Sequence, residues 1–119
     1  RNLLNATRQQ MVQYLSQNQK GSVGFASTQG DVEAHQWKEQ LMSVFAEAGW
    51  KVQDCKTFMF FGEKDGFVVT IPFNTSITTG LPQVTVQALN MTGNPISWNE
   101  GDMANEVGIY VQVWHAPQD

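Results

Sequence analysis

Between Asp31 and Val52 the chain reads DVEAHQWKEQLMSVFAEAGWKV, a helix pattern that stops at a glycine and passes at once into a strand pattern. Ala34, Trp37, Leu41, Val44, Phe45 and Ala48 recur at three- and four-residue spacing, which gathers them on one helical face. Asp31 is placed to cap the helix start, and Gly49 to take the left-handed conformation that closes the last turn. Trp50 and Val52 then alternate with Lys51 and Gln53, the period of a half-buried strand. Trp37, Leu41, Phe45 and Val52 are therefore expected in the core.

The flanking segments supply the other elements. Leu4, Met11, Val12 and Leu15 form a narrow, interrupted apolar stripe on a helix between Leu3 and Gln17, expected to dock on the sheet or on another chain without burying fully. Gly21 breaks it, and Ser22 to Ser27 reads as a short strand. The pattern blurs after Asp54 until Phe58 to Phe61, which is followed by GEKDG and then FVVTIPF, a hairpin signal closed by Pro72. Leu81, Val84, Ala88 and Leu89 mark a second helix within Ser76 to Thr92, with Gly80 and Pro82 near its start and Gly93 at its end. Asn94 to Asn105 reads as a polar loop, and Val107, Ile109, Val111 and Val113 alternate strictly in a last strand from Glu106 to Trp114.

This order, a helix followed by βαββαβ, predicts an α+β protein. Residues 1–20 carry the N-terminal helix and 21–119 a single α+β domain, long enough to bury one core without disulfides. A two-layer ferredoxin-like sandwich fits, because a short glycine-bounded connection makes the second and third strands antiparallel neighbours. The alternative is an α/β doubly wound parallel sheet.

Composition excludes more than it identifies. With seven Lys and Arg and a net charge of −4, the chain offers no basic footprint, so nucleic acid is set aside as a partner. Charged residues make up only 15% of the chain, leaving Gln, Asn, Ser and Thr to cover the surface. Cys55 is the single cysteine, read as a half-buried structural thiol. No apolar run is long enough to span a membrane. The chain begins at Arg1 rather than a methionine, so a membrane anchor, if the protein has one, is expected in a segment absent from this chain.

No residue set carries a reaction. Asp31 and His35 share a helical face at metal-ligand spacing but lack a third ligand, and His115 falls near the terminus, so neither a metal nor another cofactor is expected. The nucleophile elbow, the phosphate-binding loop and GxGxxG are all missing, and no catalytic residue is assigned. Glu63 and Asp65, and Glu100 and Asp102, read as solubilising pairs in loops. Two loops remain as binding candidates: Ser27, Thr28 and Gln29 lead from the first strand into the capped helix, and Asn74, Thr75 and Ser76 follow the third strand. Hydroxyls and backbone N–H groups at a helix start can hold an anion, and the same residues serve as caps and turns. Trp98 and Trp114 could form an exposed aromatic patch or pack inside.

QQMVQYL before the first strand, Glu33 and Ala34, the block from Ala48 to Val52, the block from Ala88 to Gly93 and the terminal VGIYV resemble small uncharacterised bacterial proteins in which a membrane segment precedes a soluble α/β domain. Members commonly end in a glycine-lysine-proline type tail, where this chain has QVWHAPQD. The resemblance implies a membrane-tethered bacterial domain of unknown role and carries over no catalytic residue. With no reaction chemistry in the chain, the leading expectation is a non-catalytic interaction or sensory domain, with a protein partner or self-association. The alternative is a small-ligand or anion-binding domain, with or without hydrolytic activity.

Overall fold

The computed structural model describes residues 2–59 and 65–114. They form, in order, α1 (Asn5–Gln17), β1 (Ser22–Thr28), α2 (Val32–Glu47), β2 (Lys51–Phe58), β3 (Phe67–Ile71), α3 (Gly80–Asn90), β4 (Ile96–Glu100), α4 (Met103–Val107) and β5 (Ile109–Val113).

α2 starts and stops as its sequence dictates. Asp31 Oδ1 accepts the Ala34 N–H at 2.9 Å. At the other end Gly49 adopts φ +97°. Its N–H donates to the Ala46 carbonyl while the Trp50 N–H donates to that of Phe45, both at 3.0 Å, the paired bonds of a Schellman stop. The Trp50 ring then meets Phe45 edge-on at 5.2 Å, and Phe45 meets Phe25 of β1 at 5.3 Å. The helix stop is thus itself part of the core.

The five strands run β2-β1-β5-β3-β4 across one mixed sheet. β1 lies parallel to β2, with Val23 opposite Val52, and parallel to β5, with Val23 opposite Ile109. β3 is parallel to β4 and antiparallel to β5, Val69 standing opposite both Trp98 and Val111. The protein is therefore α+β with a mostly parallel sheet, built from two βαβ units that run in opposite directions and meet at β5.

That pairing departs from the ferredoxin-like arrangement, in which β2 and β3 would be neighbours. Here β1 and β5 lie between them. α2 and α3 each return the chain parallel to the strand it has just left, and β5, with Ile109, Val111 and Val113 all buried, takes the central position. The expected hairpin turn falls largely outside the described residues, but the strands it separates are not paired. The antiparallel β3–β5 pair likewise excludes an all-parallel doubly wound sheet.

Three local expectations change for identifiable reasons. The region 94–105, expected as a loop, contains β4 and the start of α4. β4 is an edge strand with four of its five residues exposed, so it lacks the apolar run that marks an inner strand. The last strand starts at Ile109 because Gly108, at φ +92°, separates it from α4; a Cβ there would stand 2.6 Å from the Ser22 carbonyl oxygen. The blurring after Asp54 is a β-bulge: Phe25 pairs with Asp54 but Ser27 with Thr57, and Lys56 has φ +67°.

The main core lies between one sheet face and α1, α2 and α3. It holds Trp37, Leu41 and Phe45 as expected, with Val52 half-buried at its margin on edge strand β2. Met11 and Leu15 of α1 are fully buried while Leu4 is 71% exposed. α1 packs chiefly on α2 and α3, with the Leu3 N–H bound to Gln40 Oε1 at 2.8 Å. A smaller cluster of Ala26, Val107 and Tyr110 fills the opposite face beneath α4.

Candidate functional site

The two candidate loops lie at opposite ends of the sheet, because β1 and β3 run in opposite directions. Ser27, Thr28 and Gln29 cannot share a pocket with Asn74, Thr75 and Ser76. Ser27 is fully buried on the strand face that bears Val23 and Phe25, with no hydrogen-bond partner for its hydroxyl among the described residues. The Thr28 hydroxyl donates to the Val113 carbonyl at 3.1 Å, and the Gln29 N–H to that of Phe58 at 3.0 Å. In the second loop Asn74 takes φ +64°. The Thr75 hydroxyl donates to the Pro72 carbonyl, and Ser76 Oγ accepts the Thr78 N–H at 3.1 Å. Turn and pairing chemistry occupies the Thr28, Thr75 and Ser76 hydroxyls and the Gln29 N–H, as it commonly does for Ser and Thr beside the ends of regular elements.

Of the six, Thr75 lines a cleft. Gly21 and Ser22 at the start of β1, Gly108 before β5, Pro72 and Thr75 after β3 and Gly80 at the start of α3 enclose an open volume of about 560 Å³. Glycine lets its walls approach closely: at Gly108 even a methyl group would strike the Ser22 backbone, and at Gly21 it would meet the Leu81 side chain. None of its lining side chains is titratable, so the cleft offers shape, apolar surface and neutral hydrogen-bonding groups, without an acid, a base or an activated nucleophile.

The buried ionic centre lies elsewhere. Lys38 sits on the core-facing stripe of α2 with its side chain 1% exposed, and its Nζ donates to Asp54 Oδ1 at 2.9 Å and to the Lys56 carbonyl at 3.0 Å. Asp54 Oδ1 also accepts the Lys56 N–H at 2.8 Å. Burial works to raise the Asp54 pKa, but the hydrogen bonds from Lys38 and Lys56 and their charges outweigh it, leaving the carboxyl below its ordinary value. This set holds the bulged backbone of β2 in place. On the other face Cys55 packs with Ala26, Val107 and Tyr110, and burial, reinforced by Asp54, pushes the thiol up, away from the reactive thiolate. Burial likewise raises Tyr110. Sequence reading passed over Lys38, although its position four residues after Ala34 and three before Leu41 places it within the apolar stripe.

His35 stands exposed 3.7 Å from Glu39, and no group of three His, Cys, Asp or Glu converges among the described residues. His115 and Glu63 lie outside the described residues. Asp65, Glu100 and Asp102 are exposed. Trp114 is buried against the Phe58 ring, the centroids 4.8 Å apart and the planes tilted by 55°, so Trp98 alone of the expected aromatic pair reaches the surface, at 50% exposure.

Trp98 marks the feature that most distinguishes the surface. At the centre of β4 it projects to the helix side and, with Ile77, Val86 and Gln87, borders a groove of about 290 Å³ against α3. No described strand pairs with the outer edge of β4. Every residue from Gly66 to Asn99 is uncharged, so the β3-α3-β4 unit and its loops, up to Glu100 at the end of β4, present a neutral flank on a protein of net charge −4. The opposite edge differs in kind: β2 is bulged and carries exposed Lys51 and Lys56.

These features define an α+β domain with a neutral cleft at one end of the sheet and an open, uncharged edge along one side. No family model, curated protein or solved structure matches the chain.

Proposed function

We propose that the protein is a non-catalytic interaction domain whose contact surface is the flank formed by β4 and α3. The observation that carries this reading is the contrast between its two sheet edges. Natural sheets block exposed edges with bulges, lysines or prolines, because a regular edge recruits other strands. β2 has such protection, whereas β4 pairs with β3 through five consecutive residues without a shift and carries an exposed tryptophan at its middle. Strand addition at such an edge takes its affinity from backbone hydrogen bonds and its selectivity from side-chain pockets, and the groove beside Trp98 is placed to act as one. In the same reading the domain belongs to a bacterial membrane-tethered protein, supported by the resemblance of QQMVQYL, AGWKV and ALNMTG. No helix among the described residues is long and apolar enough to cross a membrane, so the tether would lie outside the chain.

Selection of binders from a random peptide library, followed by amide chemical-shift mapping, tests the reading. Bound peptides are expected to shift Ser97–Glu100 and the outward residues of α3, and Trp98→Lys to abolish binding. Shifts confined to the bulged β2 edge would overturn it.

A second reading, a small-ligand domain, is favoured by the cleft at Thr75 and Gly108. Its neutral lining suits an uncharged, partly apolar ligand, and library peptides mapping to Gly21, Thr75 and Gly108 would favour it over the edge.

A further inference from the structure

We propose that the partner received by β4 is a second copy of this chain, its β4 laid antiparallel against the first so that two five-stranded sheets become one. The proposal rests on the reading of the β4 edge as the contact surface, and the order of side chains in β4 selects the occupant. The strand reads Ile96-Ser97-Trp98-Asn99-Glu100. A two-fold axis through Trp98 sets Trp98 against Trp98 of the second copy, Ser97 against Asn99 and Ile96 against Glu100, the mutual pairing that an isologous interface requires. The single charge on the strand thereby faces an apolar residue and never its own copy. Asn99 Oδ1 already accepts the Thr70 hydroxyl at 2.7 Å, which leaves its amide N–H groups to donate to Ser97 Oγ of the second copy.

Charge gives the second argument. Two molecules of net charge −4 repel one another over most of their surface, but residues 66–99 contribute nothing to that repulsion. The neutral flank is where two copies can meet side by side, and a strongly charged partner finds no complement there. On the helix side each Trp98 covers the groove bordered by Ile77 and Val86 of its own chain, so the paired rings would close both grooves together. The assembly also ends at two. Once both β4 edges are paired, the outer edges are the two β2 strands, each bulged at Lys56 and bearing exposed lysines, and these resist further addition.

Sedimentation velocity over a concentration series reaching the high micromolar range, combined with cysteine cross-linking under mild oxidation, tests the proposal. The wild-type chain is expected to approach twice its monomer mass, while Trp98→Lys stays monomeric with an unchanged melting curve. Trp98→Cys should form a covalent dimer rapidly, because its thiol faces its own copy. Ser97→Cys, which faces Asn99 in this register, should cross-link no faster than wild type, whose Cys55 serves as the control. A wild-type chain that is monomeric throughout while library peptides still shift Ser97–Glu100 would overturn the second copy and leave the contact surface standing. Monomeric protein with peptides mapping elsewhere would remove both. A dimer that survives Trp98→Lys, or that cross-links equally through Ser97→Cys, would overturn the β4 pairing.

Discussion

Lys38 occupies a position on α2 that its spacing reserves for an apolar side chain, and it is tolerated because Asp54 and the Lys56 carbonyl take up its ammonium protons. Removing one member of a buried ion pair costs about 3–5 kcal/mol, and the 30% exposure of Asp54 to water reduces that here to about 2–3 kcal/mol. Lys38→Ala is expected to lose that much in urea denaturation, and Lys38→Met less, because its stem still fills the site. A loss below about half a kcal/mol in Lys38→Ala would mean that the pair holds nothing together. The same contact gives a pH signature. The folded-state pKa of Asp54 is depressed, so its contribution is present above the ordinary carboxyl value, near ~3.9, and fades as pH falls through the lower folded value. Lys38→Met should flatten this acid limb of the stability curve, measured by denaturation at stepped pH. Leu41, fully buried on the same helix, should lose about 2–5 kcal/mol as Leu41→Ala.

Among the elements, α1 shows how a weak local pattern gains strength from packing. Its apolar stripe is interrupted, yet Met11 and Leu15 are fully buried in the main core. Full burial of such side chains contributes about 1.5–3 kcal/mol each, whereas the exposed Arg8–Glu47 pair at its side adds at most about 1 kcal/mol. Deleting residues 1–19 should therefore lower the melting temperature markedly, while Glu47→Ala should leave it nearly unchanged. An unaltered melting temperature after the deletion would make α1 a bystander. The Schellman stop of α2 is the other decisive element feature. Gly49→Ala forces a side chain into the left-handed region and should cost about 1–2 kcal/mol in the same denaturation assay.

At the scale of the whole molecule, charge is divided between the two halves of the sheet. The β1-α2-β2 half carries Lys38, Lys51 and Lys56, the Lys38–Asp54 pair and the bulge, and the β3-α3-β4 half carries no charge before Glu100. Self-association through β4 is then opposed only by the long-range repulsion of like net charges, which salt screens. Raising ionic strength by roughly tenfold should strengthen the dimer slightly in sedimentation experiments, because the Debye length shortens while the contact strand contains no ion pair that salt could weaken, Glu100 facing Ile96. Clear weakening by salt would mean that ion pairs hold the copies together.

The helix from Asp31, its glycine stop, the strand that follows and most of the core on α2 were legible in the sequence because short-range forces settle them: capping, left-handed glycine geometry and helical periodicity all act within a few residues. β4 escaped notice because an edge strand needs no apolar run, and the continuation of β2 because a bulge shifts its alternation. Strand order was beyond local pattern altogether. The βαββαβ order read from the sequence is compatible with several strand arrangements, and the one adopted depends on pairings distant in sequence that set β5, buried on both faces, between β1 and β3. The candidate residues illustrate the same division. Sequence alone marked Ser27–Gln29 and Asn74–Ser76 as polar loop residues, and the opposed directions of β1 and β3 place them at opposite ends of the sheet, but only the sheet edge brought Trp98, α3 and an uncharged flank into one surface.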